Sequence, residues 1–286
     1  MIFRSLGMLK TGDLNPHFFH WPSLPFYLNL LAYMPYYLLG KMMGAFGTPN
    51  DILAPVQLAA GVVRTQMPTT VLVGRLVTTS FGIGSVVLVF LIGRRLANND
   101  WVGILAALMM AVSPTNVWHS RWTTPDMFAV FFVLATILAS IWVYQEGKTW
   151  QYVLAGICVG LAAASKYNAA LVITSLLAAH FLRNGWKGIG DGKLYLALAS
   201  SGLAFLFSVP FSVLDFPKFF ADLKFDSQHY ATGHAGMEGN TLQWYLSYLL
   251  RMTGAISALA VLAILGGILS RSKEIVLLGA FPIVYS

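Results

Sequence analysis

Four polar segments interrupt a strongly apolar chain, and between them they hold the side chains able to do chemistry. Residues 116–126 (NVWHSRWTTPD) bring His119, Arg121 and Asp126 within a short stretch of chain. A carboxylate there can orient a hydroxyl or take its proton, and an arginine can grip a phosphate. Lys166-Tyr167-Asn168 sets an ammonium between two apolar runs, a place that suits a lipid phosphate. Residues 214–243 carry His229 and His234, with Gly233 and Gly236 close by to let the backbone fold. With His20 from the opening segment they form a candidate set of three neutral imidazoles for a divalent metal ion. That opening segment, residues 11–28 (TGDLNPHFFHWPSLPFYL), also holds Asp13 and His17, the latter a candidate substrate contact. Arg75, in Gly74-Arg75-Leu76, is placed to neutralise Asp126 or to contact phosphate.

Each of these has a plainer reading. Asp126 is also a favourable acidic start for the following helix, where the dipole welcomes a carboxylate. Lys166 can be a snorkelling lysine beside a turn-forming asparagine. Arg75 can belong to a structural ion pair, the histidines to solvated loops, and residues 11–28 to a simple surface loop.

The elements that must position these residues follow from composition. The 286 residues are 57% hydrophobic and only 10% charged, with a mean hydropathy of +0.68. Soluble domains carry about a quarter charged residues, so the expected class is an all-α, polytopic membrane protein. The net charge of +7 lies largely in short connections, where lysine and arginine set orientation; no nucleic-acid partner is expected. The one cysteine, Cys158, sits in an apolar helix as a core filler.

Spans are expected over residues 70–93, 101–115, 126–145, 150–165, 168–182, 194–213 and 252–270, with a further apolar segment opening at 275. Residues 23–46 are aromatic and proline-broken, which favours a juxtamembrane helix at the lipid–water interface. Residues 47–68 carry three prolines and read as an external connection with one short helix. The expected organisation is a single transmembrane unit over 1–286: an external loop with a juxtamembrane helix (1–69), a six-helix core (70–213), an external loop (214–251) and further transmembrane helices (252–286). Residues 1–10 and 275–286 are both too short to span, so the chain is expected to be a fragment. Gly156 and Gly160 form a GxxxG pair that permits close helix approach.

Side of the membrane follows from the basic residues. Arg94, Arg95, Lys148, Arg183, Lys187, Lys193, Arg271 and Lys273 share one set of connections; Arg121, Lys166, Lys218, Lys224 and Arg251 share the other. The richer set is expected in the cytoplasm. Alternation then puts Asp126, Lys166, residues 214–243 and the opening histidines together on the external side. No phosphate-binding GxxxxGK[ST] loop, GxSxG, HExxH or dinucleotide fingerprint is present, so ATP hydrolysis is not expected.

The order GDLNPHFFHWPSLPFYL, VGRL, GRRL, SPTNVWHSRWTTPD, GLAAASKYNAAL and HYATGH resembles the polyprenyl-phosphate-sugar-dependent glycosyltransferases of the GT-C type. That group includes the dolichyl-phosphate-mannose–protein mannosyltransferases and the bacterial lipid A aminoarabinose transferase. The resemblance covers nearly the whole chain. It implies a GT-C-like helical bundle in the plasma (inner) membrane, with a site on the external face. It also implies an inverting transfer, in which an acceptor hydroxyl attacks the anomeric carbon of a sugar on a polyprenyl phosphate. Asp126 takes the place of the second-loop acid, Arg121 and Lys166 look like phosphate contacts, and His20 with His229 or His234 surrounds a metal or phosphate. The family's first-loop acid would precede Met1, and Asp13 is not given that role. The nature of the acceptor stays open.

Two other readings compete. A secondary transporter would show internal repeats and polar groups near the midplane, whereas here no repeat is seen and the charges sit at helix ends. A catalytically inactive membrane scaffold would lack the first acid altogether.

Overall fold

In the computed structural model, residues 1–57, 63–232, 243–244, 247–248, 250–251, 254–270 and 272–285 are described. They are mostly helical, with irregular connections such as residues 12–23 and a two-residue antiparallel pairing of Val56–Gln57 with Val63–Arg64. The protein is an all-α helical membrane protein. The helices α3 (Pro68–Ala97) and α6 (Asp126–Gln145) are long and apolar enough to cross a membrane. Taken together, α4 (Asp100–Val112) and α5 (Pro114–Ser120) are also apolar enough, and their bend makes them a broken span or a re-entrant loop. α7 (Thr149–Ser165) and α9 (Gly192–Ser208) are shorter apolar helices.

Local chemistry fixes the ends of these elements. The expected span 101–115 is cut at Ser113 because proline pushes the preceding residue into extended backbone; Ser113 has φ −61 and ψ 121, and the chain turns by 62°. Pro114 then occupies the first turn of α5, where its missing N–H costs nothing. Pro125 leads into Asp126 at the first turn of α6. α7 stops at Ser165, Lys166 is extended, and the 3-10 turn Tyr167–Val172 leads into α8 (Ile173–Asn184). That break lies where the polar triplet predicts it.

Small residues draw the helices together. α3 buries Thr70, Gly74, Thr78, Gly82 and Ser85, a stripe three to four residues apart. Gly82 lies directly under Ser120, and the Thr79 hydroxyl donates to the Ser120 carbonyl at 2.9 Å. On α7, a Cβ at Gly156 or Gly160 would run into the carbonyl oxygens of Ala197 and Ser201, so the expected GxxxG approach is made, with α9 as its partner. The main core joins α6, α7, α8 and α9 through Ile141, Tyr152, Ala155, Val172, Leu176 and Ala197. Within it, Tyr152 Oη lies 2.8 Å from His180 Nδ1, and His180 Nε2 donates to the Gly188 carbonyl at 2.9 Å. His180 is thus a satisfied core residue.

Two departures from the sequence reading stand out. Residues 1–10 form most of an amphipathic helix, α1 (Ile2–Thr11), which packs Leu6 and Met8 against α2 (Leu24–Met42). Residues 214–251, expected as a loop, contain the short α10 (Phe211–Leu214) at their edge and then a full helix, α11 (Phe216–Thr232). The reason is periodicity: Asp215, Lys218, Asp222, Asp226 and His229 recur at helical spacing while Phe216 and Phe220 take the other side. In the connection 47–68, the expected short helix is the 3-10 turn Pro49–Asp51.

Basic residues gather at the far end of α6. Arg95 and Lys148 pair with Glu146 at 2.6 and 2.8 Å, Arg94 pairs with Asp100 at 2.7 Å, and Arg183 and Lys193 donate to the Tyr144 and Gly147 carbonyls. A 20-residue helix separates them from Asp126 by roughly 30 Å.

Candidate functional site

One helix start, one helix end and one helix break meet at the other end. Lys166 Nζ donates to Asp126 Oδ1 at 2.9 Å across forty residues of chain. His119, from the last turn of α5, holds its Nδ1 at 3.8 Å from Asp126 Oδ2. The cation expected to neutralise Asp126 was Arg75; the structure supplies Lys166 instead, and Arg75 lies exposed on α3.

This group forms the polar end of a cavity of about 460 Å³. Asn116, Lys166, Asn168 and Tyr285 share that end, and Val130, Val133, Leu134 and Phe281 are among the apolar residues of its wall. The Asn168 amide donates to Tyr285 Oη at 2.8 Å, closing one side. Asn116 Oδ1 is buried with no hydrogen-bond partner among the described residues. A buried acceptor of that kind costs about 1–3 kcal/mol unless a donor meets it. The cavity therefore offers a cation and a carboxylate at its head and hydrocarbon along its length.

Sequence reasoning singled out Asp126 and Lys166 but passed over Asn116 and Tyr285. Asn116 and His119 lie three apart and share a face of α5, which was a readable signal. Arg121, by contrast, stacks on Trp118 at 4.5 Å and does not line the cavity.

The opening segment docks beside this cavity, on α11. Its backbone is held by a chain of side-chain turns: Asp13 Oδ1 accepts from the Asn15 amide at 2.8 Å and Asn15 Oδ1 from the His17 amide at 3.0 Å. Asn15 Nδ2 then donates to Asp215 at 2.8 Å, and the Phe19 amide to Asp222 at 2.8 Å. Tyr167, next to Lys166, donates its hydroxyl to the Phe19 carbonyl at 2.9 Å. The opening segment and α11 thus meet by direct contacts, and Tyr167 ties the opening segment to the helix break at Lys166.

His20 sits between two carboxylates, with Nδ1 at 2.7 Å from Asp226 and Nε2 at 3.8 Å from Asp222. His17 lies between Asp13 at 2.9 Å and Asp215 at 3.6 Å, with φ +46. Both rings serve docking and neither lines the cavity. His229 stacks face to face with Phe225. Among the described residues no group of three histidine, cysteine or acidic side chains is arranged to hold a metal ion; His234 lies outside the described residues.

Burial pushes the Asp222 carboxyl up, but Lys218, the Phe19 amide and His20 outweigh it and hold the group below its ordinary value. The stabilisation from a depressed carboxyl is complete above the unfolded value of about 3.9 and is lost as pH falls through the lower folded value. Protection of the Phe19 amide against hydrogen exchange is expected to persist at neutral pH and vanish in strong acid. In Asp222→Ala that amide should exchange roughly 10- to 100-fold faster at neutral pH, since a hydrogen bond to a charged group contributes about 1.5–3 kcal/mol.

Residues 67–213, just over half of the chain, match the family model described as dolichyl-phosphate-mannose-protein mannosyltransferase. The chain is also similar to the dolichyl-phosphate-mannose–protein mannosyltransferase 1 of Saccharomyces cerevisiae, with 29% identity over 150 residues. That match covers 49% of this chain and 18% of the yeast protein, so the chain spans well under a quarter of its relative's length. No solved structure matches the chain.

Proposed function

The chain belongs to the dolichyl-phosphate-mannose-protein mannosyltransferase family, and we propose that it binds a polyprenyl-phosphate-linked sugar and helps transfer that sugar to an acceptor hydroxyl. The observation that carries this reading is the cavity with the Asp126–Lys166 pair at its head and an apolar wall behind. A lipid-linked sugar phosphate has the same order of parts: a polar head, an anionic phosphate and a long hydrocarbon tail.

In this scheme the donor phosphate competes with Asp126 for the Lys166 ammonium. Once Lys166 turns to the phosphate, the Asp126 carboxylate is released to take the acceptor proton. The acceptor oxygen bonds to the anomeric carbon, the bond from that carbon to the phosphate oxygen breaks, and the lipid phosphate leaves with the electron pair. Lys166 stabilises the charge developing on that phosphate. A single displacement of this kind inverts the anomeric centre. The name of the yeast relative points to a hydroxyl on protein as the acceptor. The distribution of lysine and arginine supports a reading in which the basic end of α3 and α6 faces the cytoplasm and the cavity's polar end the external side.

The test is donor affinity in Lys166→Gln. Loss of a charged hydrogen bond is expected to weaken binding of a mannosyl polyprenyl phosphate roughly 10- to 100-fold, seen as a raised KM in membrane assays. An unchanged KM would remove Lys166 from the phosphate site.

A further inference from the structure

We propose that a second, separate pocket at the basic end of α3 and α6 binds the headgroup of an anionic phospholipid. The pocket has a volume of about 380 Å³ and is lined by Leu91, Arg94, Arg95, Asn98, Leu138 and Trp142. Leu91, Arg94 and Arg95 of α3 and its cap residue Asn98 stand at i, i+3, i+4 and i+7, and Leu138 and Trp142 are four apart on α6, so one face of each helix builds it. Among the described residues these are the two single helices long and apolar enough to cross a membrane.

The order of chemistry along the pocket is that of a lipid at an interface. Arg94, Arg95 and Asn98 stand at the helix end, Trp142 beside them, and Leu91 and Leu138 one turn further inward. Tryptophan favours the headgroup level, and basic pockets between transmembrane helices bind anionic heads. The two guanidiniums are pre-positioned: Arg94 Nε lies 2.7 Å from Asp100, and Arg95 Nη2 lies 2.6 Å from Glu146. Those contacts hold each fork by one edge and leave other N–H donors for phosphate oxygens. With Lys148 on Glu146, three cations face two carboxylates, so the cluster keeps a positive excess. The volume suits a phosphodiester and its first methylenes, while the leucines and the tryptophan line a path for acyl chain.

A lipid headgroup and free phosphate offer the same anion, and native mass spectrometry of the whole chain in detergent separates them. The probes are phosphatidylglycerol, phosphatidylcholine with the same acyl chains, and inorganic phosphate. One phosphatidylglycerol is expected to remain bound where phosphatidylcholine is lost. The doubly substituted Arg94→Gln, Arg95→Gln chain should retain it about tenfold less, the loss of charged hydrogen bonds. Asn98→Asp serves if the double variant does not fold: position 98 has φ +48, a left-handed conformation that aspartate tolerates, and the added charge should also lower retention. Equal retention of both lipids, or undiminished phosphatidylglycerol in Asn98→Asp, overturns the proposal. So does displacement of the lipid by millimolar inorganic phosphate, which would make this a site for the free anion.

Discussion

Asp126→Asn is expected to lower sugar transfer by roughly a hundred- to ten-thousand-fold, the range lost with a positioned acid or base. Asparagine keeps the shape of the side chain and an oxygen that accepts from Lys166, whose ammonium now sits at 2.9 Å. What it cannot do is receive a proton. The chain should therefore fold, retain the cavity and bind a lipid-linked sugar within a few-fold of the native affinity, while turnover collapses. Transfer from a radiolabelled mannosyl polyprenyl phosphate in membranes measures this directly. A variant that keeps more than a small fraction of the native rate would take Asp126 out of the chemistry and leave it as a partner for Lys166.

Gly160→Leu should produce the largest loss of stability. A Cβ at Gly160 would run into the carbonyl oxygen of Ser201, with Ala204 and the Phe205 amide behind it. Two of these obstacles are backbone, so no rotamer change relieves them and α9 must move away from α7. Overpacking of this kind costs about 1–3 kcal/mol, and more when the backbone is the obstacle. A fall in the melting temperature of roughly 5–10 °C is expected for the detergent-solubilised chain. Gly202→Ala is the matched control, because a Cβ there meets nothing within 4 Å. Its melting temperature should hold or rise slightly, since alanine is the better helix former. Equal melting temperatures for native protein and Gly160→Leu would mean that α7 and α9 do not depend on this contact.

The bundle was largely legible in the sequence because its signals are local. Pro125-Asp126 opens α6 where the apolar run begins, and the helix runs Asp126–Gln145 as expected. The break at Lys166 was also clear, since a polar triplet between apolar runs cannot continue a buried helix. Helix α11 was obscured by composition: histidines and glycines after residue 229 gave the whole segment the look of a loop, although the preceding acids recur at helical spacing. Pairings were harder. Asp126 and Lys166 were each recognisable, but nothing in their spacing says that Lys166, rather than Arg75, is the partner. The docking of Phe19 and His20 on Asp222 and Asp226 spans more than two hundred residues. Such contacts are made by the fold and leave no trace in local pattern.

The apolar wall of the main cavity has a kinetic consequence. Met110 and Ser113 of that cavity belong to or adjoin α4, whose Ile104, Leu105, Leu108 and Val112 are exposed as a hydrocarbon-facing surface. Under the proposed function, a lipid-linked donor sliding along that surface would reach Asp126 by diffusion in two dimensions rather than through water. The concentration that matters is then the donor's mole fraction in the bilayer. Diluting vesicles with buffer should leave the rate per enzyme unchanged, whereas diluting the donor with inert phospholipid at fixed aqueous volume should slow it in proportion.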